Sequence, residues 1–252
     1  MIIDVFTYFN ETDVVDLRMK VLDGLVDQHI AIQASQTFTG EPREKAELPE
    51  GPHFRNWYID FPREDMTPWE REIYQRNYIG TLPPFDNGHY LISDADEIPN
   101  PETVQWCIDN NVHETRFDVD QYFWNLNWQV PKHANNGGRP IMVRQHRQGI
   151  IPVHDIRGQV DRNYTTMKDG GWHFSFLGAP DQIRDKIEAF SHTEYDSEEY
   201  KDAQAMRNRV LLGMDPFDRF PLKYTHISSE THPKWVVEHQ DEVAHLIGAP
   251  PD

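Results

Sequence analysis

Ile2, Ile3, Val5, Phe6, Tyr8 and Phe9 make an apolar, β-branched-rich opening that predicts a strand over 2–9. Asn10-Glu11-Thr12-Asp13 follows, a polar set of helix N-cap type, and Val14, Leu17, Val21, Leu22 and Leu25 then recur at helical spacing. Residues 28–34 read as a second strand, so the chain enters as β-α-β. Gly40, Pro42, Pro49, Gly51, Pro52, Pro62 and Pro68 make 39–68 mostly loop, with a short strand over 54–61. Helical spacing returns over 69–79. An apolar run then ends in Asp94, Asp96 and Glu97, after which Pro99 and Pro101 stop the strand. Pro101 and Glu102 open a helix over 101–110. This alternation predicts an α/β protein with a mostly parallel sheet flanked by helices.

Beyond residue 110 the pattern changes. The stretch 114–129 is rich in aromatics (Phe117, Tyr122, Phe123, Trp124, Trp128), 140–146 reads as a strand, and helices are expected over 181–190, 197–212 and 233–247. There is no internal repeat, low-complexity tract or linker, so the chain reads as a single domain.

Composition narrows the partners. A formal charge of −18 repels nucleic acid and anionic membrane surfaces, so a phosphate site would have to be built locally from metal, arginine and backbone amides. No apolar run approaches the ~20 residues of a membrane span, and Met1-Ile2-Ile3-Asp4 lacks the basic start of a secretory signal. The single cysteine, Cys107, excludes an intramolecular disulfide and sits with Val104 and Ile108 on a helix face, as a core residue would.

The candidate chemistry lies at the acidic strand end. Ligands of an open α/β sheet bind beyond the carboxyl ends of its strands, and three crowded carboxylates there call for a cation. Hard oxygen ligands suit Mg²⁺ or Mn²⁺, ions that share their coordination with substrate phosphates. A solvated acidic turn, or a cap for the helix after Pro99, is the plainer alternative.

Four ordered segments sharpen this. Ile3-Asp4 through Asn10-Glu11-x-Asp13, Arg71-Glu72-x-Tyr74-Gln75-Arg76-Asn77, Ile92-Ser93-Asp94-Ala95-Asp96-Glu97-Ile98-Pro99 and Gly171-Trp172-His173-Phe174-Ser175-Phe176-Leu177-Gly178 together resemble glycosyltransferase family 17. That family includes the β-1,4-mannosyl-glycoprotein β-1,4-N-acetylglucosaminyltransferases. The resemblance spans roughly residues 1–200 and implies a GT-A-like, Rossmann-type fold. It divides the chain into a nucleotide-binding half (1–110), a half that completes the acceptor and metal sites (111–200), and C-terminal helices (201–252). It also implies a nucleotide-sugar donor, with UDP-GlcNAc expected, a glycan acceptor, Mn²⁺ or Mg²⁺, and inversion at the anomeric carbon; the lack of a signal or anchor in the sequence sets the expectation of a cytoplasmic location of bacterial or viral type. One departure is Gln33, where a strand-end Glu is more usual.

By this resemblance Asp96 ligates the metal, Asp94 serves the metal or the ribose, and His173 completes the metal shell, with His192 its rival. Arg71, Arg76 and Asn77 lie on the helix before the acidic motif; at most one arginine need face the diphosphate, because a spacing of five does not share a helix face. Thr7, Asn10 and Glu11 would hold base and ribose, and Asn10 could equally cap a helix. Inversion needs a carboxylate to take the acceptor proton; Asp155 is the first expectation and Glu194 the second, with Asp118 and Asp120 left open. Tyr122, Trp124, Trp172 and His192 are expected at the acceptor, although aromatic residues equally build cores. Two competing classes stay open: a metal-dependent phosphohydrolase or nucleotidyltransferase, and a non-catalytic glycan-binding relative at which Gln33 hints.

Overall fold

The computed structural model describes residues 1–49, 51–82, 88–135, 140–144, 153–158 and 165–251; of Arg144, Asp155, Ile156 and Gly158 it describes the backbone alone. Its elements in chain order are β1 (Ile2–Thr7), α1 (Thr12–Val21), β2 (Gln28–Ala34), β3 (Phe54–Ile59), α2 (Pro68–Tyr78), β4 (His89–Asp94), β5 (Glu97–Pro99) and α3 (Pro101–Asp109). The second half holds β6 (Glu114–Phe123), β7 (Trp128–Gln129), β8 (Ile141–Arg144), α4 (Val153–Gly158) and β9 (Thr166–Ser175). It ends with α5 (Pro180–Ala189), α6 (Glu198–Lys201), α7 (Ala203–Leu212), β10 (Lys223–Tyr224) and α8 (Lys234–Glu238).

One sheet carries these strands in the order β10-β7-β6-β8-β4-β1-β2-β3, with β9 paired to both β6 and β5. The four strands β3-β2-β1-β4 are parallel, as the alternating pattern implies. The expectation of a mostly parallel sheet fails beyond β4: β8 runs antiparallel to β4 and β6, β7 to β6 and β10, and β5 to β9, while β6 and β9 return to parallel. For β6 and β7 the physical reason is connection length. Asn125 to Asn127 turn β6 directly into β7, and such tight returns permit only antiparallel pairing. The sheet is therefore mixed.

Burial follows strand position. Every residue of β2 is buried, as expected for a parallel strand covered on both faces. Val14, Leu17, Val21 and Leu22 pack beneath the sheet with Tyr122, Phe174, Val236 and Leu246, which ties the first helix to the C-terminal segment. Cys107 is fully buried beside Val104, as read from its helix face.

Two expected helices are shorter than their apolar spacing suggests. The run 197–212 breaks at Asp202, whose extended backbone (ψ 123°) ends α6 and whose Oδ1 accepts the Ala205 amide at 2.7 Å to start α7. The run 233–247 keeps only α8 and a 3₁₀ turn, Ala244–Leu246. There His239 stacks on Trp235 at 4.6 Å and leaves helical geometry, while Val243 and Leu246 still reach the core. The expected strand over 140–146 is observed as β8, with 145 and 146 outside the described residues. Among the described residues no helix is long and apolar enough to cross a membrane.

Candidate active site

The register of β1 and β4 sets Thr7 opposite Asp94, at the carboxyl end of the parallel strands. Asp94-Ala95-Asp96 then turns into β5, and that turn is held from inside the molecule. Arg18, fully buried on α1, donates from Nη1 to the carbonyls of Asp94 (3.2 Å), Ala95 (3.2 Å) and Glu97 (2.6 Å), and from Nη2 to Ser93 Oγ (2.7 Å). Its charge is balanced by the equally buried Asp4, which receives Arg18 Nε at 2.7 Å and contacts His29 Nδ1 at 2.8 Å. Burial alone would raise the Asp4 carboxyl; the charge and hydrogen bonds of Arg18, aided by His29, outweigh it and bring it down to about 2.

The two aspartates have different surroundings. Asp94 is clamped by two guanidiniums: Arg76 donates Nη2 to Oδ2 (2.7 Å) and Nε to Oδ1 (3.2 Å), and Arg157 donates Nη1 to Oδ1 (2.7 Å). Thr7 Oγ1 adds a bond to Oδ1 at 3.0 Å. Burial pushes the Asp94 carboxyl up, but Arg157 and Arg76 override it and hold it well below the usual carboxylate range. Arg157 also donates Nη2 to both oxygens of Glu97 (2.8 and 2.6 Å), whose Oε2 accepts the Asp94 amide at 2.9 Å. Arg76 continues to Glu72, one helical turn earlier, and Glu72 accepts the Ser191 hydroxyl.

Asp96 faces a different pair. Lys186 Nζ, from α5, lies 2.8 Å from Oδ2 and also 3.1 Å from Glu11 Oε1, while His173 Nε2 lies 3.4 Å from Oδ1. Pairing of β5 with β9 puts His173 there, since Glu97 and His173 are register partners. Burial would lower Lys186, and Asp96 with Glu11 raises it instead; for His173 burial likewise lowers and Asp96 raises, with a net upward shift. Glu11 meanwhile accepts the amides of Phe9 and Asn10 (2.9 and 3.1 Å), closing the loop after β1.

These groups open into a cavity of about 530 Å³, within the range of small-molecule sites. Thr7 lines it from β1, Glu11 from the loop between β1 and α1, Arg43 from the loop after β2, Glu72 and Arg76 from α2, and Asp94 and Asp96 from the acidic turn. The far wall, from β9, α5 and the residues after them, includes His173, Phe176, Lys186, His192 and Phe217.

Several expected residues have other employment. Arg71 is buried with its guanidinium donating to the carbonyls of Phe38 (3.1 Å) and Glu64 (2.7 Å), so it clamps the loop that carries Phe38 into the cavity wall and does not itself line the cavity. Asn77 accepts the His154 amide at 2.9 Å and anchors α4, and Asn10 reaches Gln182 O at 3.4 Å in a separate small recess. Tyr122 and Trp172 both donate to Thr231 O at 2.9 Å, and Trp124 donates to Met214 O at 2.7 Å; none of the three lines the cavity. Glu194 is exposed beside His192, its Oε1 2.7 Å from Nδ1, and lies off the cavity lining. Asp155 falls on α4, with its side chain outside the described atoms. Gln33 is fully buried and pins a loop through bonds with both backbone atoms of Ala46 and with Asn56 Oδ1, an internal structural task.

Among the charged residues that the sequence left unassigned are Arg18, Arg43, Arg157 and Lys186. Arg18 had a signal, because it shares the buried face of α1 with Val14 and Leu17. A charge on an apolar face marks a buried ion pair. Lys186 had none, since α5 places it among exposed Asp185 and half-buried Glu188.

A model of glycosyltransferase family 17 matches residues 1–234 of the 252. The chain belongs to glycosyltransferase family 17. Among curated proteins no match is found. Membership assigns this family 17 chain to the enzymes that transfer glycosyl groups, and the resemblance carried by its four ordered motifs is borne out across the cavity-forming part of the molecule.

As a place for a divalent ion, the Asp96–His173 pair offers one carboxylate and one imidazole whose Nδ1 is buried without a hydrogen-bond partner among the described residues. Among those residues no three His, Cys, Asp or Glu side chains converge. Two protein ligands fit an ion that takes its remaining positions from phosphate oxygens and water, as Mg²⁺ does. They do not fit a closed structural site.

Proposed function

We propose that this protein is a metal-dependent, inverting transferase of GT-A type that moves a sugar, N-acetylglucosamine in the first instance, from a UDP-sugar to a glycan hydroxyl. The observation that carries the reading is the seat of Asp94-Ala95-Asp96: a backbone turn locked by buried Arg18 at the strand ends, facing a cavity with Asp96 opposite His173. A flexible acidic turn would not be fixed by a buried arginine on three of its carbonyls.

In this reading Thr7 and Glu11 stand on the donor side with Arg43, and Arg76 holds Asp94 in place rather than meeting phosphate directly. Asp96 and His173 would hold Mn²⁺ or Mg²⁺, which supplies charge neutralisation for the departing diphosphate. Lys186, between Glu11 and Asp96, adds a cation at the same spot. The acceptor proton goes to a carboxylate, for which Asp155 remains the proposed group, since Glu194 stands off the cavity lining. Inversion follows from attack opposite the leaving diphosphate, with the protein holding acceptor oxygen and sugar carbon in line.

A phosphohydrolase built on two metals needs a larger convergence of ligands than Asp96 and His173 provide. Binding without catalysis loses its hint, since Gln33 is engaged in loop packing. Calorimetry with UDP tests the proposal: binding is expected in Mn²⁺ and to weaken at least tenfold in chelator, and absence of UDP binding in Mn²⁺ overturns it.

A further inference from the structure

The expected acceptor aromatics, Tyr122, Trp124 and Trp172, are consumed by packing, yet the cavity has an aromatic wall that the sequence reading left unassigned. Phe176, the residue after β9, lies with its ring centroid 5.6 Å from Lys186 Nζ, so the wall begins directly beside the Asp96 site. From Phe176 the rings continue to Phe217 at 5.6 Å, and Phe217 stacks on Tyr195 at 4.0 Å with an interplanar angle of 21°. Three separate segments meet here: the residue after β9, the 3₁₀ turn Thr193–Tyr195 and the loop before β10.

At the outer end stands Arg219. Its Nε and Nη2 each lie 2.7 Å from Asp215 Oδ2, and Asp215 is fully buried and also accepts the Arg219 amide. An arginine side chain 40% exposed is thereby fixed in one place, with its guanidinium carbon 5.6 Å from the Tyr195 ring, 5.1 Å from Phe217 and 5.3 Å from Phe220. A surface arginine tied to a fully buried carboxylate cannot swing away into solvent. The wall thus ends in an oriented hydrogen-bond donor, and Ser191 and Gln121 bring further polar groups to the same cavity.

A pyranose matches this arrangement in kind. Its ring presents an apolar C–H face that covers an aromatic ring, and its equatorial hydroxyls project sideways toward fixed donors. A nucleobase would also stack, and the strand-end loops that would receive a nucleotide, 7–11 and 36–43, line the same cavity, so UDP is the competitor that separates the two readings. Continuity with Asp96 through Lys186 and Phe176 puts the wall where a second substrate must approach the transferred sugar.

We infer that the Tyr195–Phe217–Phe220 face, with Arg219, is the subsite for the acceptor pyranose. The inference rests on the proposed transferase reading for its meaning, but its binding prediction stands on the wall itself. Phe217 is buried and supports the face from behind, whereas Tyr195 and Phe220 are partly exposed and touch the sugar. Acceptor selection therefore resides after residue 190, in segments separate from the acidic turn.

Saturation-transfer NMR on the full chain with methyl α-mannoside, methyl β-glucoside, methyl β-galactoside and methyl β-N-acetylglucosaminide tests it. At least one glycoside is expected to receive saturation on its ring C–H protons, undiminished by UDP and Mn²⁺. The signal should survive Tyr195→Phe and fall about tenfold in Tyr195→Leu and in Phe220→Leu, which remove the aromatic face but keep apolar bulk. Thermal unfolding of each variant distinguishes lost binding from lost fold. No saturation of any glycoside, persistence in both leucine variants, or displacement of the sugar by UDP overturns the inference. The first measurement contains no nucleotide, so a chain that fails to bind UDP counts against the transferase proposal and not against this subsite.

Discussion

Lys186 Nζ lies 2.8 Å from Asp96 Oδ2, the same carboxylate that would hold a divalent ion. Ammonium and metal compete for it. Lys186→Met is therefore expected to tighten Mn²⁺ binding about tenfold in the absence of nucleotide, read by calorimetry. Unchanged Mn²⁺ affinity would remove Asp96 from the ligand set.

Asp96→Asn keeps the size of the side chain and removes its charge. Turnover on a matched donor and acceptor is expected to fall about 100-fold or more, with Mn²⁺-dependent UDP binding lost as well. Near-normal turnover in this variant would end the metal proposal.

Arg18→Met leaves Asp4 as a buried carboxylate facing only His29, and releases three carbonyls of the acidic turn. Breaking a buried pair in this way costs about 3–5 kcal/mol, which for a chain of this size lowers Tm by about 10 °C or more. Calorimetric unfolding measures it, and a shift under about 3 °C would show that the cradle is dispensable.

The same pair gives a pH signature. Asp4 sits at about 2 in the folded chain against 3.8 for the ordinary carboxyl, so the unfolded chain binds the proton more readily. Its contribution, about 2 kcal/mol, is complete above pH 4 and is lost as pH falls from about 4 to 2. Asp4→Asn is expected to flatten the fall in denaturant midpoint over that interval, relative to the parent chain. An identical slope in both proteins would contradict the assignment.

Gly171 has φ +144°, and a Cβ there would stand 2.2 Å from the Ile98 carbonyl and 2.9 Å from Pro99 Cα. Both obstacles are backbone of β5. Gly171→Ala is expected to cost about 3 kcal/mol or more and to separate β5 from β9, moving His173 away from Asp96. Proteolytic sensitivity and Mn²⁺ affinity should change together.

The parallel half of the fold was legible because β1, α1, β2 and α2 obey local rules: apolar strand runs that end up buried, and apolar residues at helical spacing. The second half was harder because its pairings are long-range. Nothing local states that β9 joins β6 on one edge and β5 on the other, although that pairing brings His173 to Asp96. Asp94, Asp96 and His173 could be named from ordered motifs. Lys186 and Arg157 could not, since each becomes a partner of the acidic turn only when α5 and α4 pack against it. The aromatics misled for a related reason. Tyr122 and Trp172 are as suited to sugar as Phe217 and Tyr195, and only the location of Thr231, which accepts from both, assigns them to the core.

The short pairing of β5 with β9 has a consequence for how such a chain can diversify. It welds the acidic turn to the sheet, whereas the aromatic face is assembled from connecting segments past residue 190 that reach the turn through side chains, Phe176 with Lys186 on one side and Ser191 with Glu72 and Arg76 on the other. On the proposed assignment, substitutions in those segments would change which sugar is received while Asp96 and His173 keep their places. The molecule is in that sense modular within one sheet, with a fixed engine and an exchangeable mouth.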